Sequence, residues 1–205
     1  MTHRIALLGI CLGMMWVTGA YAATPDERTV ALVDAFKSVR TAPEGKELSA
    51  EDKRANGLAF TVLDGFFNYD TLTQASIKPH VSKFSKPQLA RFYTAFEELI
   101  RLISYPKSGA FLKDAQVRFG KSVVKSDQKT EVSMSARLPK EDVETRATFT
   151  WEKNKGQWYV TDVGFDGASM VKDYQNQFGR ILAKEGAEGL LKRLDNKLME
   201  RRKQL

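Results

Sequence analysis

The chain of 205 residues holds few side chains able to do chemistry. Its one cysteine is Cys11 and its two histidines are His3 and His80. Cys11 and His3 fall in an N-terminal stretch that reads as a cleaved leader, so a mature chain keeps His80 alone. One histidine and no thiol leave no basis for a histidine-based metal site or a cysteine nucleophile. His80 follows Pro79 in an expected turn and reads as a surface residue. No Gly-x-Ser-x-Gly elbow is present. Gly120-Lys121-Ser122 copies the end of a phosphate loop, but Ala115 stands where the first glycine of the cradle belongs. Asp162, Asp166 and Asp173 form the remaining candidate set. A carboxylate inside an apolar cavity has a raised pKa and could serve as an acid or base. The structural reading is simpler. Asp162 is expected to hydrogen-bond a neighbouring backbone or side chain, and Asp166 and Asp173 flank a helix start that they can cap. No catalytic residue, metal or cofactor is assigned, and the chain does not read as an enzyme.

What the sequence has in excess is large apolar side chains on several segments. Phe66, Phe67, Tyr69, Phe92, Phe96, Phe149, Trp151, Tyr159, Phe165, Tyr174 and Phe178 could all point between layers of structure. Such a set fits a close-packed core as well as it fits a greasy pocket, and residue types alone do not decide between them.

Periodicity gives the elements that would position these residues. A first helix runs from Thr24-Pro25 to about Arg40, with Val30, Val33, Phe36 and Val39 as a narrow stripe and Pro early, where its missing N–H costs nothing. Ala42-Pro43-Glu44-Gly45 is a loop. Ser49 with Asp52 caps a second helix whose broad face carries Leu58, Ala59, Val62, Leu63, Phe66 and Phe67. Asn68-Tyr69-Asp70 interrupts it, and a short piece from Thr71 to Ile77 follows. Ser85, Pro87 and Gln88 start a longer helix to Ser104, with Leu89, Phe92, Tyr93, Phe96, Leu99, Ile100 and Ile103. Tyr105-Pro106-Lys107-Ser108-Gly109 is expected to stop it.

From Val117 the period changes to two. Expected strands are 117–124, 131–138, 144–153 and 157–165, joined by short turns, which implies an antiparallel meander. Thr145, Ala147, Phe149 and Trp151 share one face. Simple alternation puts Trp158, Val160, Asp162 and Gly164 on one face and Tyr159, Thr161, Val163 and Phe165 on the other. After Asp166-Gly167 a helix carries Val171, Tyr174, Phe178, Ile181 and Leu182. Gly186 ends it, and a last helix aligns Leu190, Leu191, Leu194 and Leu198. The expectation is one α+β domain over 23–205, with helices 24–104, a four-stranded antiparallel sheet 117–166 and helices 168–202 covering the sheet.

The N-terminus reads as a secretory signal peptide over 1–22. His3-Arg4 is basic, Ile5 to Thr18 is apolar, and Ala20-Tyr21-Ala22 offers a cleavage site after Ala22. The apolar run is short for a membrane span of about 20 residues. Export without a cysteine framework fits a bacterial periplasm. The full chain has net charge +7, and the leader takes Arg4 and no acid, which leaves +6. That mild, dispersed excess suits anionic lipid or an acidic partner, and no nucleic acid is expected. Lys172, Arg180, Lys184, Lys192 and Arg193, on the polar faces of the last helices, could meet such a partner.

The stretch from Trp158 to Leu194 resembles the C-terminal signature of the MlaC family. The match runs through Trp158, Val160, Asp162, Val163, Gly167, Ser169, Met170, Val171, Tyr174, Gln177, Phe178, Gly186, Gly189, Leu190 and Leu194. Ser85, Gln88, Phe92, Phe96 and Leu99 resemble the family's long middle helix. Two departures stand out. Ile77-Lys78-Pro79-His80 replaces a Leu-Gly-aromatic step, and Arg101-Leu102-Ile103-Ser104-Tyr105 replaces an Arg-Thr-Tyr ending. The family is the periplasmic phospholipid-carrier component of the Mla (toluene-tolerance) lipid-transport system, an auxiliary to an ABC transporter. The resemblance implies an apolar cavity enclosed by sheet and helices that holds acyl chains, with the head group near solvent. The aromatic set above, with Leu99, Ile103, Val163 and Met170, would line it. It also implies shuttling of phospholipid between an inner-membrane ABC transporter complex, with its membrane-anchored lipid-binding subunit, and an outer-membrane lipoprotein complex, so maintaining outer-membrane lipid asymmetry. A hopanoid or other polycyclic cargo, a small-molecule enzyme in a cone-shaped α+β fold, and an adaptor with a solid core stay open as alternatives.

Overall fold

The computed structural model describes residues 23–42, 46–140 and 142–203. The expected signal peptide and most of the Ala42–Gly45 loop lie outside them. Helix α1 is Pro25–Lys37, α2 is Ala50–Asp64 and α3 is Tyr69–Ile77. A 3-10 turn, Lys78–Lys83, leads to α4, Lys86–Asp114. Strands follow as β1 (Gln116–Phe119), β2 (Val123–Ser126), β3 (Lys129–Leu138), β4 (Val143–Asn154), β5 (Gln157–Phe165) and β6 (Ala168–Ser169). The chain ends in α5, Met170–Arg202.

The helix starts follow their capping residues. Thr24 and Ser85 each complete a capping box, with Glu27 and Gln88 reaching back to the cap. Ser49 and Asn68 accept from the backbone N–H three residues on. Inside α5, Gly186 takes φ 66° and ψ −174°, so two helical halves meet there at a kink, as the glycine suggests.

Among the described residues the sheet has six strands, not the four expected. The segment 117–124 splits at Gly120, whose N–H donates to the Ser133 carbonyl at 2.8 Å. Its halves, β1 and β2, pair with different stretches of the same edge of β3. β3–β4 and β4–β5 are antiparallel, as the short turns require. Asp166 and Gly167, both at positive φ, close a two-residue hairpin that adds β6. On the far side of β5, the Val160 N–H donates to the Phe66 carbonyl at 2.8 Å, and the Asn68 N–H donates to Val160 at 3.1 Å. The α2–α3 link therefore covers part of that edge.

Val132, Met134 and Ala136 on β3 alternate with half-buried polar residues, and Ala147, Phe149 and Trp151 do the same on β4. One face meets the helices and the other meets water. The expected alternation in β5 fails at one point. Thr150 pairs with Asp162 but Trp151 pairs with Val160, so Thr161 is an inserted residue. This bulge places Val160 on the helix-covered face together with Val163.

Three further expectations are corrected. α4 does not stop at Tyr105; it runs through Pro106 to Asp114. Proline removes only one N–H from the ladder, while Tyr105 is fully buried on that turn and Gly109 packs on the end of α1. A Cβ on Gly109 would lie 2.8 Å from the Phe36 carbonyl oxygen. On α2 only Asn56, Ala59 and Leu63 are buried, and Leu58 and Val62 face solvent. His80 is half buried, not a free surface residue: its Nε2 lies 3.0 Å from the Gln175 carbonyl oxygen, and its ring fills the space beside Gly179.

Candidate functional site

The space between α4 and the helix-covered face of the sheet is not filled. A pocket of about 250 Å³ lies there, lined almost wholly by carbon. Its sheet wall is Met134 and Ala136 from β3, Thr145, Ala147 and Phe149 from β4, and Val163 and Phe165 from β5. Its helix wall is the stripe Ile100, Ile103, Ser104, Lys107, Ser108, Phe111 and Leu112 of α4, one face at helical spacing. Phe36, Phe67, Leu72 and Tyr105 close the inner end, and Met170 contributes from the start of α5.

Small residues create the void. Met134 pairs with Ala147, which pairs in turn with Phe165; in the next row Ala136 pairs with Thr145. The two alanines are 1% and 2% exposed, so their short side chains stand where a core would carry larger ones. Phe165 is 47% exposed although it lines the pocket, and Lys107 is exposed as well. These two mark the mouth.

A polar network holds the inner end. The Tyr105 hydroxyl donates to Asp64 Oδ1 at 2.9 Å and contacts the Tyr69 hydroxyl. Arg101 Nε donates to the same carboxylate oxygen at 2.7 Å, and its guanidinium lies 4.6 Å from the Tyr69 ring centre. Burial pushes the phenols of Tyr69 and Tyr105 well above the ordinary tyrosine value, so both are neutral donors. The network fixes the turn of α4 on which Ser104, Lys107 and Ser108 ride.

Of the residues singled out from the sequence, Phe67, Ile103, Phe149, Val163, Phe165 and Met170 are brought together in the pocket. The others stand elsewhere. Phe92, Phe96, Tyr174 and Phe178 form a packed cluster between α4 and α5, with Phe96 4.7 Å from Tyr174 and 5.1 Å from Phe178. Leu99 is buried outside the pocket lining. Trp151 is fully buried and donates through its indole N–H to Thr29 Oγ1 on α1 at 2.9 Å. Phe66 and Tyr159 lie beneath the Arg28 guanidinium, at 4.8 and 5.8 Å. Tyr69 belongs to the Asp64 network. The pocket residues that sequence reading passed over are mainly the small and polar ones, Ala136, Thr145, Ala147, Ser104, Ser108 and Lys107, and those past the expected end of α4.

The carboxylates are structural. Asp162 accepts from Ser169 Oγ at 2.5 Å and from the Val171 N–H at 3.1 Å, while Ser169 caps α5. Asp166 does not cap that helix; its carboxylate accepts from the Arg146 N–H at 3.0 Å and ties the β5–β6 turn to β4. Among the described residues no carboxylate or histidine lines the pocket. Among the described residues no group of three or more His, Cys, Asp or Glu is placed to hold a metal ion, and no helix is long and apolar enough to cross a membrane.

Residues 24–196 match the family of the MlaC protein. Comparison with curated proteins returns no match. Solved structures do match. One is a phospholipid-binding protein from Ralstonia solanacearum in complex with a phospholipid, at TM-score 0.66 and 18% identity, covering 87% of this chain and 99% of that one. At that identity the likeness is one of fold.

Proposed function

We propose, from the fact that this chain belongs to the MlaC family, that it is a phospholipid carrier. It lifts a lipid from one membrane, shields the acyl chains between α4 and the sheet, and releases the lipid at another membrane. The observation that carries this reading is the carbon-lined pocket, walled mainly by α4 and three strands and opening at Lys107 and Phe165. The same fold in the R. solanacearum protein was solved with a phospholipid, which supports it. The described lining residues are apolar or neutral apart from Lys107, a set suited to holding a ligand.

The energetics suit passive carriage. Each buried methylene contributes about 0.8 kcal/mol. Roughly ten of them supply about 8 kcal/mol, the free energy of micromolar binding. The pocket, at about 250 Å³, lies just below the range of drug-sized sites, about 300–1,000 Å³. A two-chain lipid therefore requires the wall to widen. Pro106 is one place where the wall can give, because the proline has removed one backbone hydrogen bond of α4 there.

The carrier works in the periplasm after loss of residues 1–22. It exchanges cargo with an inner-membrane ABC transporter complex, through that complex's membrane-anchored lipid-binding subunit, and with an outer-membrane lipoprotein complex, and so maintains outer-membrane lipid asymmetry. A transfer assay tests the reading: donor and acceptor vesicles are separated by a barrier that passes protein only, and the donors carry labelled phosphatidylglycerol. Label reaching the acceptors only when the protein is present is the expected result. No transfer, with no lipid bound to the recovered protein, contradicts it.

A further inference from the structure

We propose that Lys107, with the hydroxyls of Ser104 and Ser108, is the subsite that holds the phosphate of a bound lipid at the pocket mouth. The inference rests on the carrier reading and adds to it the group that is recognised. Positions 104, 107 and 108 share one face of α4, and all three line the pocket. Among the described residues that line the pocket, Lys107 is the one cationic side chain and no carboxylate opposes it.

These three polar groups are also unspent. Several bases on the described surface are held in ion pairs, among them Arg40 with Asp52, Arg101 with Asp64 and Glu97, Lys129 with Glu152, and Arg202 with Glu98. Lys107 has no such partner among the described residues, and neither serine hydroxyl has a hydrogen bond there. A helical serine ordinarily bonds back to the carbonyl one turn earlier; Thr73 and Ser76 on α3 do so at 2.8 Å each. Ser104 and Ser108 do not, so their hydroxyls are available to a ligand.

Acyl chains that fill the carbon-lined interior bring the glycerol phosphate to the mouth. There the lysine stem lies along the wall and its ammonium reaches solvent. The ammonium and two hydroxyls supply charge-assisted and neutral donors to the phosphate oxygens. The head-group alcohol beyond the phosphate stays in water. The subsite thus selects for a phosphate without distinguishing what is attached to it, and disfavours neutral diacyl or polycyclic lipids.

The test offers the purified protein vesicles containing phosphatidylglycerol and diacylglycerol with identical chains, and reads the ratio of the two lipids extracted from it. Wild type is expected to be enriched in phosphatidylglycerol. Lys107→Gln should lower that ratio about two- to fivefold, the range of an exposed ion pair, and Lys107→Glu should lower it further. The effect should shrink in about 1 M salt, where charges are screened within about 3 Å. An unchanged ratio in both variants overturns the proposal. If wild type takes up neither lipid, the carrier reading fails first, and the subsite with it. If inorganic phosphate alone perturbs the Lys107 resonance while lipid does not, the site is one for free phosphate and the lipid assignment is wrong.

Discussion

Replacing Ala147 with isoleucine separates a pocket from a packed core by the sign of its effect on stability. Ala147 sits between Met134 and Phe165 in one cross-strand row, is 2% exposed, and lines the void. Isoleucine adds three carbons at that point and suits a strand. At about 0.8 kcal/mol per buried carbon the upper limit is about 2.4 kcal/mol. Filling a natural cavity commonly yields about 0.5–2 kcal/mol, so a gain of about 1–2 kcal/mol is expected. For a chain of this size that is a rise in Tm of roughly 2–8 °C. The same carbons occupy space meant for an acyl chain, so lipid uptake from vesicles should fall while stability rises. The assay is urea unfolding of delipidated protein, paired with uptake of labelled phospholipid. A loss of about 1–3 kcal/mol would be the signature of overpacking a solid interior and would refute the pocket. A stability gain with undiminished uptake would place the lipid elsewhere.

Gly109→Ala should destabilise by about 1–3 kcal/mol, because its Cβ would lie 2.8 Å from the Phe36 carbonyl oxygen and 2.9 Å from Val39 Cβ; a urea midpoint equal to wild type would show that α1 and α4 can part without cost. Alkaline pH should destabilise the fold. Burial raises the phenols of Tyr69, Tyr105 and Tyr174, so the folded chain keeps protons that the unfolded chain releases above about pH 10. Their contribution is fully present below that pH and is lost as pH rises, by up to about 1.4 kcal/mol per pH unit for each tyrosine. Urea midpoints between pH 9 and 11.5 should fall, less steeply in Tyr105→Phe; a flat profile would contradict the burial.

The order of helices and sheet was legible because its signals are local: capping residues at Thr24 and Ser85, the change of period near Val117, and Gly186 between two leucine-bearing segments. Where tertiary contacts override local rules, the reading broke. Tyr105-Pro106 looks like a stop, yet the Asp64 network and the Gly109–Phe36 contact carry α4 onward. Alternation in β5 failed because a single inserted residue, Thr161, resets the faces. The pocket was the least legible part. Large aromatics were sought, but four of them, Phe92, Phe96, Tyr174 and Phe178, pack tightly on one another. A void arises where small residues oppose one another across strands, and Ala136 and Ala147 become conspicuous only once the register is known.

The most direct measurement is native mass spectrometry of the protein purified from the periplasm of its own host, with lipid extraction of the same sample. The account predicts a mass excess of one or two lipids, removed by organic extraction and identified as phospholipid. A clean mass of the polypeptide alone, with no uptake when the protein is offered phospholipid vesicles, would contradict it.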